Sequence, residues 1–361
     1  MNDTPACILS RFLLSGTPVY CEPFGCGHIN STFHVKTDTG HQYILQKINH
    51  YAFPDVAALS ENIEAVTDFL RMKTGDPRAV LTLIRTTDGS GFTEWNGEYW
   101  RVYVFVEDTI CLQYPETDDD FYQSAVGFGT FAQLLSDFPA EKLHESIPNF
   151  HNTPDRYRLL REAIERDEMR RAAHVQPEIG FALSREAEMG KIQKALSAGE
   201  LPLRVTHNDT KLNNVLLDAK TRKALCVIDL DTVMPGSALY DFGDAIRYGA
   251  ATAAEDERDL SKMEMSLERF RVFSHGYIRS CPGLTDREIE MLPLGAKTIT
   301  MECGVRFLTD YLNGDKYFAI HREGQNLDRA RTQFRLVRDM EAKWDEMRRI
   351  VAEAADRTIT I

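Results

Sequence analysis

The stretch LRVTHNDTKLNNVLLD, residues 203–218, and the stretch LCVIDLD, residues 225–231, are the most informative part of this chain. Two short apolar segments, 215–217 and 225–230, flank a polar turn at 218–223. Apolar runs of this length around a turn predict a β-hairpin. We therefore expect the polar residues beside the hairpin to be presented at its open end.

These polar residues have the types and spacing that phosphoryl transfer requires. A carboxylate must orient the acceptor hydroxyl, and hard oxygen ligands must hold the Mg²⁺ that neutralises the phosphates. His207-x-Asp209-x-x-x-x-Asn214, followed by a strand that ends in Asp229, supplies these groups at the spacing of a kinase catalytic loop. The pattern predicts Asp209 as the catalytic carboxylate and Asn214 and Asp229 as Mg²⁺ ligands.

The same pattern resembles the aminoglycoside phosphotransferase and choline kinase superfamily, whose members are relatives of the protein kinases. The resemblance implies a bilobal, protein-kinase-like α+β fold. A small N-lobe would hold an antiparallel sheet and a helix, and a larger C-lobe would be mostly helical. It also implies structural roles for His207, which would brace the loop, and for Asp241, which would begin a helix and support the loop.

Asp231 follows Asp229 by two residues, and on a strand the two carboxylates would face the same side. One interpretation is a second metal ligand, bound directly or through water. The other is a carboxylate that caps or stabilises a turn. The two interpretations have equal weight, and Asp231 is counted among the predicted metal ligands.

The residues before the hairpin predict a nucleotide-binding lobe. Periodicity predicts a helix over 55–73 and strands over 19–24, 31–36, 43–48, 80–85 and 98–106. Glycines between two strands let backbone N–H groups approach phosphates, so Gly25 and Gly27 are predicted to bind the nucleotide. His28, at the tip of this turn, would overhang the transferred phosphate or the acceptor.

The third predicted strand departs from the protein-kinase pattern. Protein kinases place a lysine there, which pairs with the phosphates and with a glutamate on the next helix. Here Gln46 holds that position, Lys47 is expected on the opposite face, and Glu64 is the candidate helix glutamate. Either a bulge reorients Lys47, or Gln46 acts together with another group.

The segment 104–108 is the predicted hinge, which separates an N-lobe over 1–107 from a C-lobe over 108–361. The hinge backbone would receive adenine at Phe105, Val106 and Glu107, although an edge strand is the plainer interpretation. After the hinge the pattern becomes helical. It includes a helix that starts with Thr153 as N-cap and an amphipathic helix over 332–355.

From about residue 15 to 355, the chain resembles the N-acetylhexosamine 1-kinase family. The segments that carry the resemblance are HIN (28–30), YILQ (43–46), RVTHNDTKLNN (204–214), IDLD (228–231), MPGS (234–237) and MECGVRFL (301–308). The resemblance implies phosphorylation of the anomeric hydroxyl of N-acetylglucosamine or N-acetylgalactosamine, with Arg306 and Tyr317 in contact with the sugar. The plainer interpretations are surface ion pairs of Arg306 with Glu302 and Asp310, and a core position for Tyr317.

Composition limits the partners. The formal net charge of −13 disfavours nucleic acid and anionic membranes. The seven cysteines contain no Cys-x-x-Cys pair, which disfavours zinc and favours reduced thiols in the cytoplasm. No apolar run is long enough for a membrane-spanning helix. The predicted partners are ATP and a small sugar.

Two alternatives remain open at this point. A kinase of the same superfamily could act on choline, homoserine, methylthioribose or an aminoglycoside. A catalytically inactive kinase-fold protein could instead only bind its ligand. The missing lysine favours that inactive protein, whereas the presence of Asp209, Asn214 and Asp229 opposes it.

Overall fold

The computed structural model describes residues 3–25 and 29–356. Its N-terminal part contains a six-stranded antiparallel sheet. The strands are β1 (Pro18–Pro23), β2 (Ser31–Thr37), β3 (Gln42–Ile48), β4 (Leu83–Ile84), β5 (Thr93–Trp95) and β6 (Glu98–Val104). Their order is β1-β2-β3-β6-β4, with β5 also paired to β6. The strand predicted over 80–85 is shortened to β4, and β5 was not predicted.

Two helices accompany this sheet. α1 (Asp3–Leu9) places Ile8 and Leu9 in a hydrophobic cluster with Leu45 and Val102 on one face of the sheet. α2 (Val56–Lys73) begins after Asp55, whose side chain accepts the Ala58 N–H. The prediction of a helix over 55–73 is therefore confirmed.

The rest of the chain is mostly helical. Its helices are α3 (Asp118–Leu134), α4 (Thr153–Arg166), α5 (Gln176–Leu183), α6 (Glu186–Met189), α7 (Lys191–Ser197), α8 (Ala238–Gly249), α9 (Leu267–Ser280), α10 (Asp286–Leu312), α11 (Gln325–Ala342) and α12 (Trp344–Ala354). Within the described ranges, none of the helices combines the length and the apolarity needed to cross a bilayer.

Five short strands in this part of the chain position the candidate site. They are β7 (Thr109–Cys111), β8 (Arg204–Thr206), β9 (Val215–Asp218), β10 (Ala224–Val227) and β11 (Met234–Gly236). β9 and β10 form the predicted hairpin, β7 pairs with the free edge of β9, and β8 pairs with β11. An antiparallel sheet followed by a helical lobe confirms the α+β prediction.

Two helix boundaries differ from the predictions. Asn152, not Thr153, is the N-cap of α4, because Thr153 Oγ1 donates instead to Glu302 on α10 at 2.6 Å. The helix predicted over 332–355 is divided into α11 and α12 at Lys343. Lys343 leaves the helical conformation, and its Nζ donates to the Met265 carbonyl at 2.9 Å.

An apolar cluster, called here the interlobe cluster, joins the sheet and α2 to the helical part. It contains Val56, Leu59, Ile63, Val66, Tyr103, Phe131, Leu135, Val205, Leu230 and Val233. The chain leaves the sheet at Val104 and enters β7 at Thr109, within the segment predicted as the hinge. The two parts thus share buried apolar surface beside that hinge.

Candidate active site

The loop 207–214 follows β8 and is held by α8. Asp241, in the first turn of α8, accepts the His207 N–H at 2.9 Å and the Asn208 N–H at 2.7 Å, one on each carboxylate oxygen. Asn208 has a left-handed φ of 64°, which asparagine tolerates better than most residues. Burial raises the pKa of the Asp241 carboxyl, and the charge of His207 and the backbone N–H groups of His207 and Asn208 oppose that rise. These contacts are the ones that a bracing role for Asp241 requires.

His207 is buried behind the loop and points away from solvent. Its ring packs edge-on against Phe128 and Phe131, with ring centres 5.3 and 6.0 Å away. Its Nε2 lies 2.9 Å from the carbonyl oxygen of Ile228, the residue before Asp229. His207 therefore ties the loop to the segment that carries Asp229, as the predicted structural role requires.

Asp209 is partly exposed and has two side-chain partners. One carboxylate oxygen lies 2.7 Å from Lys211 Nζ, and the other accepts from Asn214 Nδ2 at 3.2 Å. Asn214 Nδ2 also donates to the Asp209 carbonyl at 2.8 Å, so the Asn214 side-chain oxygen is left for a cation. Partial removal from water lowers the pKa of Lys211, but the charges of Asp209 and Asp244 outweigh this and raise it to about 12.

Asp229 lies beyond the end of β10, next to this loop. Its backbone is left-handed, with φ 59° and ψ 58°, and the preceding residue, Ile228, donates its N–H to the Asn214 carbonyl at 2.9 Å. Asp229 is exposed to solvent at its surface. Partial loss of hydration to neighbouring protein groups, followed by the negative charges of Asp231 and Asp209, raises the pKa of Asp229 to about 6. A cation at this point would relieve the repulsion.

The donor set of Asn214 and Asp229 fits a nucleotide-bound Mg²⁺ ion. Within the described ranges, no group of three or more His, Cys, Asp or Glu side chains is arranged to hold a metal. Mg²⁺ at nucleotide sites takes one or two protein ligands and completes its shell with phosphate oxygens and water. One amide oxygen and one carboxylate are sufficient for that kind of site.

Asp231 does not lie on a strand beside Asp229. It is in a 3₁₀ turn, Leu230–Thr232, so the prediction that both carboxylates face one side of a strand is wrong. Its Oδ1 lies 2.5 Å from Arg101 Nη1, and its Oδ2 accepts from Asn30 Nδ2 at 2.5 Å. Because both oxygens are engaged by protein groups, the geometry disfavours Asp231 as a metal ligand. Its contacts are closer to the alternative of a structural carboxylate.

Gln46 lies on β3 directly opposite Arg101 on β6, in a register that is unbroken from Tyr43 to Ile48. Gln46 Oε1 accepts from Arg101 Nε at 3.0 Å and from Arg101 Nη2 at 2.8 Å. Arg101 is 3% exposed. Burial alone would lower the pKa of Arg101, but the charge of Asp231 holds it above its ordinary value.

The unbroken register excludes the bulge that would reorient Lys47. Lys47 instead points to the opposite face of the sheet, where its Nζ lies 3.4 Å from Glu98. Glu64 does not provide the partner expected of a helix glutamate. Its carboxylate lies 2.6 Å from Arg85 Nη1 and accepts from Ser60 Oγ at 3.1 Å. The prediction of Glu64 as a nucleotide-binding residue is not supported, because its carboxylate is engaged away from Gln46.

The hinge region brings three aromatic rings together. Phe105 lies 4.7 Å from His34 and 5.8 Å from Phe24, measured between ring centres. Glu107 accepts from Gln42 Nε2 at 2.8 Å. Thr109 Oγ1 donates to the carbonyl of Val106 at 2.9 Å. The predicted hinge residues therefore border an aromatic surface at the edge of the sheet.

Gly25 ends the described part of the predicted glycine turn. Its φ of 78° is in the left-handed region, which glycine adopts without strain. The predictions for Gly27 and His28 fall outside the described residues.

Arg306 and Tyr317 belong to one aromatic cluster. The Arg306 guanidinium lies 5.4 Å from the Phe318 ring centre, 5.6 Å from that of Phe150 and 5.9 Å from that of Tyr317. Tyr317 is 70% exposed, so its interpretation as a core residue is wrong. The described contacts of this cluster do not include Asp209.

The ion pairs expected around Arg306 are not formed in the described residues. Glu302 is buried and bonds to His151 Nδ1 at 2.8 Å and to Thr153. Asp310 accepts the backbone N–H groups of the segment 316–318. Arg306 thus keeps N–H groups available for a ligand.

A polar cavity of about 390 Å³ lies next to the loop. Asn208, Tyr240, His151 and Phe150 are among its lining residues, so Phe150 connects it to the Arg306 cluster. Asp209 and Asp229 do not line this cavity. Among the loop residues, Asn208 reaches this cavity, next in sequence to Asp209.

Comparison with known families decides the affiliation. The sequence model of the phosphotransferase enzyme family matches residues 21–265, which is more than half of the chain. The chain belongs to this family. In this phosphotransferase the matched residues run from β1 to the segment before α9, so they contain the sheet, the hinge, the loop 207–214 and Asp229.

Solved structures support the same fold. An aminoglycoside phosphotransferase from Alicyclobacillus acidocaldarius has a TM-score of 0.63 at 11% identity and covers 96% of each chain. An amicoumacin kinase, solved with AMP-PNP and Ca²⁺, has a TM-score of 0.61 at 12% identity and covers 95% of this chain and 94% of its own. The ethanolamine kinase of Plasmodium vivax has a TM-score of 0.54 at 14% identity, covering 87% and 82% respectively. At these identities the likeness shows the protein-kinase-like fold alone.

Sequence reasoning about the phosphotransferase missed Arg101. The residue stands in the middle of a strand that was predicted correctly, between apolar neighbours. Whether its side chain faces Gln46 or Lys47 depends on the pairing register of β3 and β6, because a shift by one residue reverses the face. A charged residue inside an otherwise apolar strand was the available signal.

Proposed function

We propose that this phosphotransferase is an ATP-dependent small-molecule kinase and that its acceptor is the anomeric hydroxyl of an N-acetylhexosamine. The observation that carries the kinase proposal is the group of Asp209, Asn214 and Asp229. Asn214 donates to Asp209, and Ile228, the residue before Asp229, donates its N–H to the Asn214 carbonyl. The resemblance to N-acetylhexosamine 1-kinases supports the choice of acceptor. The domain division proposed with it is a nucleotide-binding lobe over 1–107 and an acceptor-binding lobe over 108–361.

Asp209 would orient the acceptor hydroxyl and accept its proton. Its two partners, Lys211 and Asn214, fix the carboxylate in one orientation. General-base assistance of this kind contributes about 10²–10⁴-fold to rate. An anomeric hydroxyl is more acidic than an ordinary alcohol, so a single carboxylate is enough.

Asn214 and Asp229 would hold Mg²⁺, which neutralises the charge on the transferred phosphate when it is bound. The amicoumacin kinase structure, which contains AMP-PNP and Ca²⁺, supports a divalent ion together with a nucleotide in this fold. Phe105, Val106 and Glu107 are proposed to receive adenine, and Gly25 and Gly27 to approach the phosphates.

The acceptor is proposed to bind near Arg306 and Tyr317, with His28 reaching it from the glycine turn. A neutral sugar needs hydrogen-bond donors and an aromatic surface. Arg306 offers the donors, and the exposed ring of Tyr317 offers the surface. We place the protein in the cytoplasm, because its seven cysteines are odd in number and scattered along the chain, a pattern that favours reduced thiols.

An acceptor screen tests this proposal. The purified protein would be given Mg²⁺ and ATP with N-acetylglucosamine, N-acetylgalactosamine, choline, ethanolamine, homoserine, methylthioribose and an aminoglycoside, and ADP release would be followed. We expect turnover with an N-acetylhexosamine, and ³¹P NMR should show a sugar 1-phosphate. Turnover with an amine only would replace the proposed acceptor. No turnover with any acceptor would support a binding protein without catalytic activity.

A further inference from the structure

The position of Arg101 raises the question of what it contributes to nucleotide binding. Gln46 stands where a kinase of this fold would carry its phosphate-binding lysine, and Arg101 is its cross-strand neighbour. Cross-strand partners in an antiparallel sheet project from the same face. The Arg101 guanidinium therefore lies on the face where the lysine would be, one strand away.

Arg101 is fixed in place from both lobes. Gln46 accepts two of its N–H groups, and Asp231, from the C-lobe, lies 2.5 Å from Nη1. The Gln46 contacts use the Nε and Nη2 N–H groups, and the Asp231 contact is an ion pair at Nη1. Gln46 and Asp231 together therefore fix the position of the guanidinium.

Asp231 is the anionic partner of the Arg101 guanidinium. A buried guanidinium without a counter-charge is strongly unfavourable, so Asp231 is needed to keep Arg101 in the interior. Asp231 also accepts from Asn30, which in turn accepts the Asn49 N–H at 2.9 Å. The carboxylate is therefore tied to the residues that enter β2 and leave β3.

Two neighbours of Arg101 define the polar surroundings of its guanidinium. Asp229 is close enough for its charge to stabilise the Arg101 cation. Tyr103, whose ring centre is 5.2 Å from the guanidinium, has a buried hydroxyl without a hydrogen-bond partner in the described residues. Buried hydroxyls are rarely left unpaired, so a water molecule or a ligand group is expected beside Tyr103.

We propose that Arg101, held by Gln46 and Asp231, is the cation that binds the ATP phosphates in this chain. In this arrangement Arg101 replaces the third-strand lysine, and Asp231 replaces the helix glutamate. The proposal rests on the use of ATP in the proposed function. Two lysines are alternative candidates for the phosphate-binding cation, but each is paired with a carboxylate. Lys47 is with Glu98 on the opposite face, and Lys211 is with Asp209.

Comparison of ATP with adenosine tests this role, because adenosine lacks phosphates. Binding of each to the full-length protein, with Mg²⁺, would be measured by isothermal titration calorimetry. The double variant R101Q/D231N removes both charges and so leaves neither of them buried alone. Charge-assisted hydrogen bonds have energies that correspond to about ten- to hundredfold in affinity, and that is the expected loss for ATP. Adenosine affinity should change by less than about twofold.

A second double variant, Q46K/R101Q, moves the cation to the neighbouring strand on the same face. We expect it to restore at least about tenfold of the lost ATP affinity. The matched control is K47Q, on the opposite face of β3, which should leave both affinities unchanged. Melting curves establish that each variant is folded.

The outcomes separate the possibilities. The proposal is overturned if R101Q/D231N keeps its ATP affinity, or if ATP and adenosine affinity fall equally. Should R101Q/D231N fail to fold, Q46K/R101Q decides: retained preference for ATP over adenosine supports the proposal, and loss of that preference contradicts it. A wild type that binds ATP through Arg101 but phosphorylates no acceptor would fail the proposed function and leave this inference intact.

Discussion

The loop 207–214 and the Gln46–Arg101 pair are both polar assemblies, but the sequence relationships that build them differ. The loop places Asp209 and Asn214 within eight consecutive positions, 207–214, and is supported by the next helix of the same lobe. Gln46 and Arg101 are 55 residues apart and meet only through strand register. A site formed by contiguous residues is visible as a motif, whereas a site formed by register becomes visible only once the strands are paired.

The sharpest separation of the two regions is expected from Asp209→Asn. The substitution keeps the volume of the side chain but removes the base, so kcat should fall by about 10²–10⁴-fold. The dissociation constant for ATP, measured by calorimetry, should stay within about twofold because the phosphate side is untouched. A kcat within tenfold of the wild type would show that Asp209 is not the base.

The support of the loop is tested by Asp241→Ala. The substitution leaves the buried N–H groups of His207 and Asn208 without an acceptor, at about 1–3 kcal/mol each. We expect the free energy of unfolding, measured in urea, to fall by about 2–6 kcal/mol. The control is Asp137→Ala at an exposed ion pair with Lys73, which should change stability by less than about 0.5 kcal/mol. Equal losses in the two variants would contradict the bracing role.

The proposed acceptor site is the cluster of Arg306 and Tyr317, whose described contacts do not include Asp209. Substitutions in this cluster are expected to have a smaller effect. Arg306→Ala should raise the KM for the sugar about two- to tenfold, which is the range for one hydrogen bond to a neutral group. Tyr317→Ala should do the same, and Tyr317→Phe, which keeps the ring, less. Tyr51→Ala, at another exposed tyrosine, serves as the control. Unchanged KM values in all variants would place the acceptor elsewhere.

The smallest expected effect concerns Asp229, where the two regions meet. A protonated carboxyl cannot bind a divalent cation, and the pKa of Asp229 is raised to about 6. Affinity for Mg²⁺ should therefore decrease about three- to fourfold from pH 7 to pH 5.5, as measured by titration at each pH. Asp229→Asn should remove that pH dependence. An affinity that does not change over this range would contradict the assignment.

Without metal, the raised pKa of Asp229 makes the free energy of unfolding depend on pH in the opposite direction to Mg²⁺ affinity. The native state retains a proton that the unfolded chain has already released above its ordinary carboxyl pKa. The contribution of Asp229 to the free energy of unfolding is therefore present at low pH. It decreases as the pH rises through about 6.

The sequence was sufficient for the fold class, the hairpin, the helix over 55–73 and the grouping of Asp209 with Asn214 and Asp229. These features depend on local spacing, and the structure reproduces that spacing. Asp231 was misplaced because a left-handed residue at Asp229 breaks the strand alternation on which the prediction relied. The partner of Glu64 and the absence of the plainer ion pairs around Arg306 could not be predicted, because ion-pair partners are decided by tertiary contacts and not by helical spacing.

The interlobe cluster has a consequence for inhibitor design. Leu230 and Val233 flank Asp231 and are buried against Tyr103 and α2. A compound that binds only after the Asp229 segment has moved outward would require both side chains to become exposed, at a free-energy cost of about 1.5–3 kcal/mol each. The same movement would break the Arg101–Asp231 pair. Selective compounds should therefore be sought for the inward position of this segment, where the unpaired hydroxyl of Tyr103 offers a polar contact.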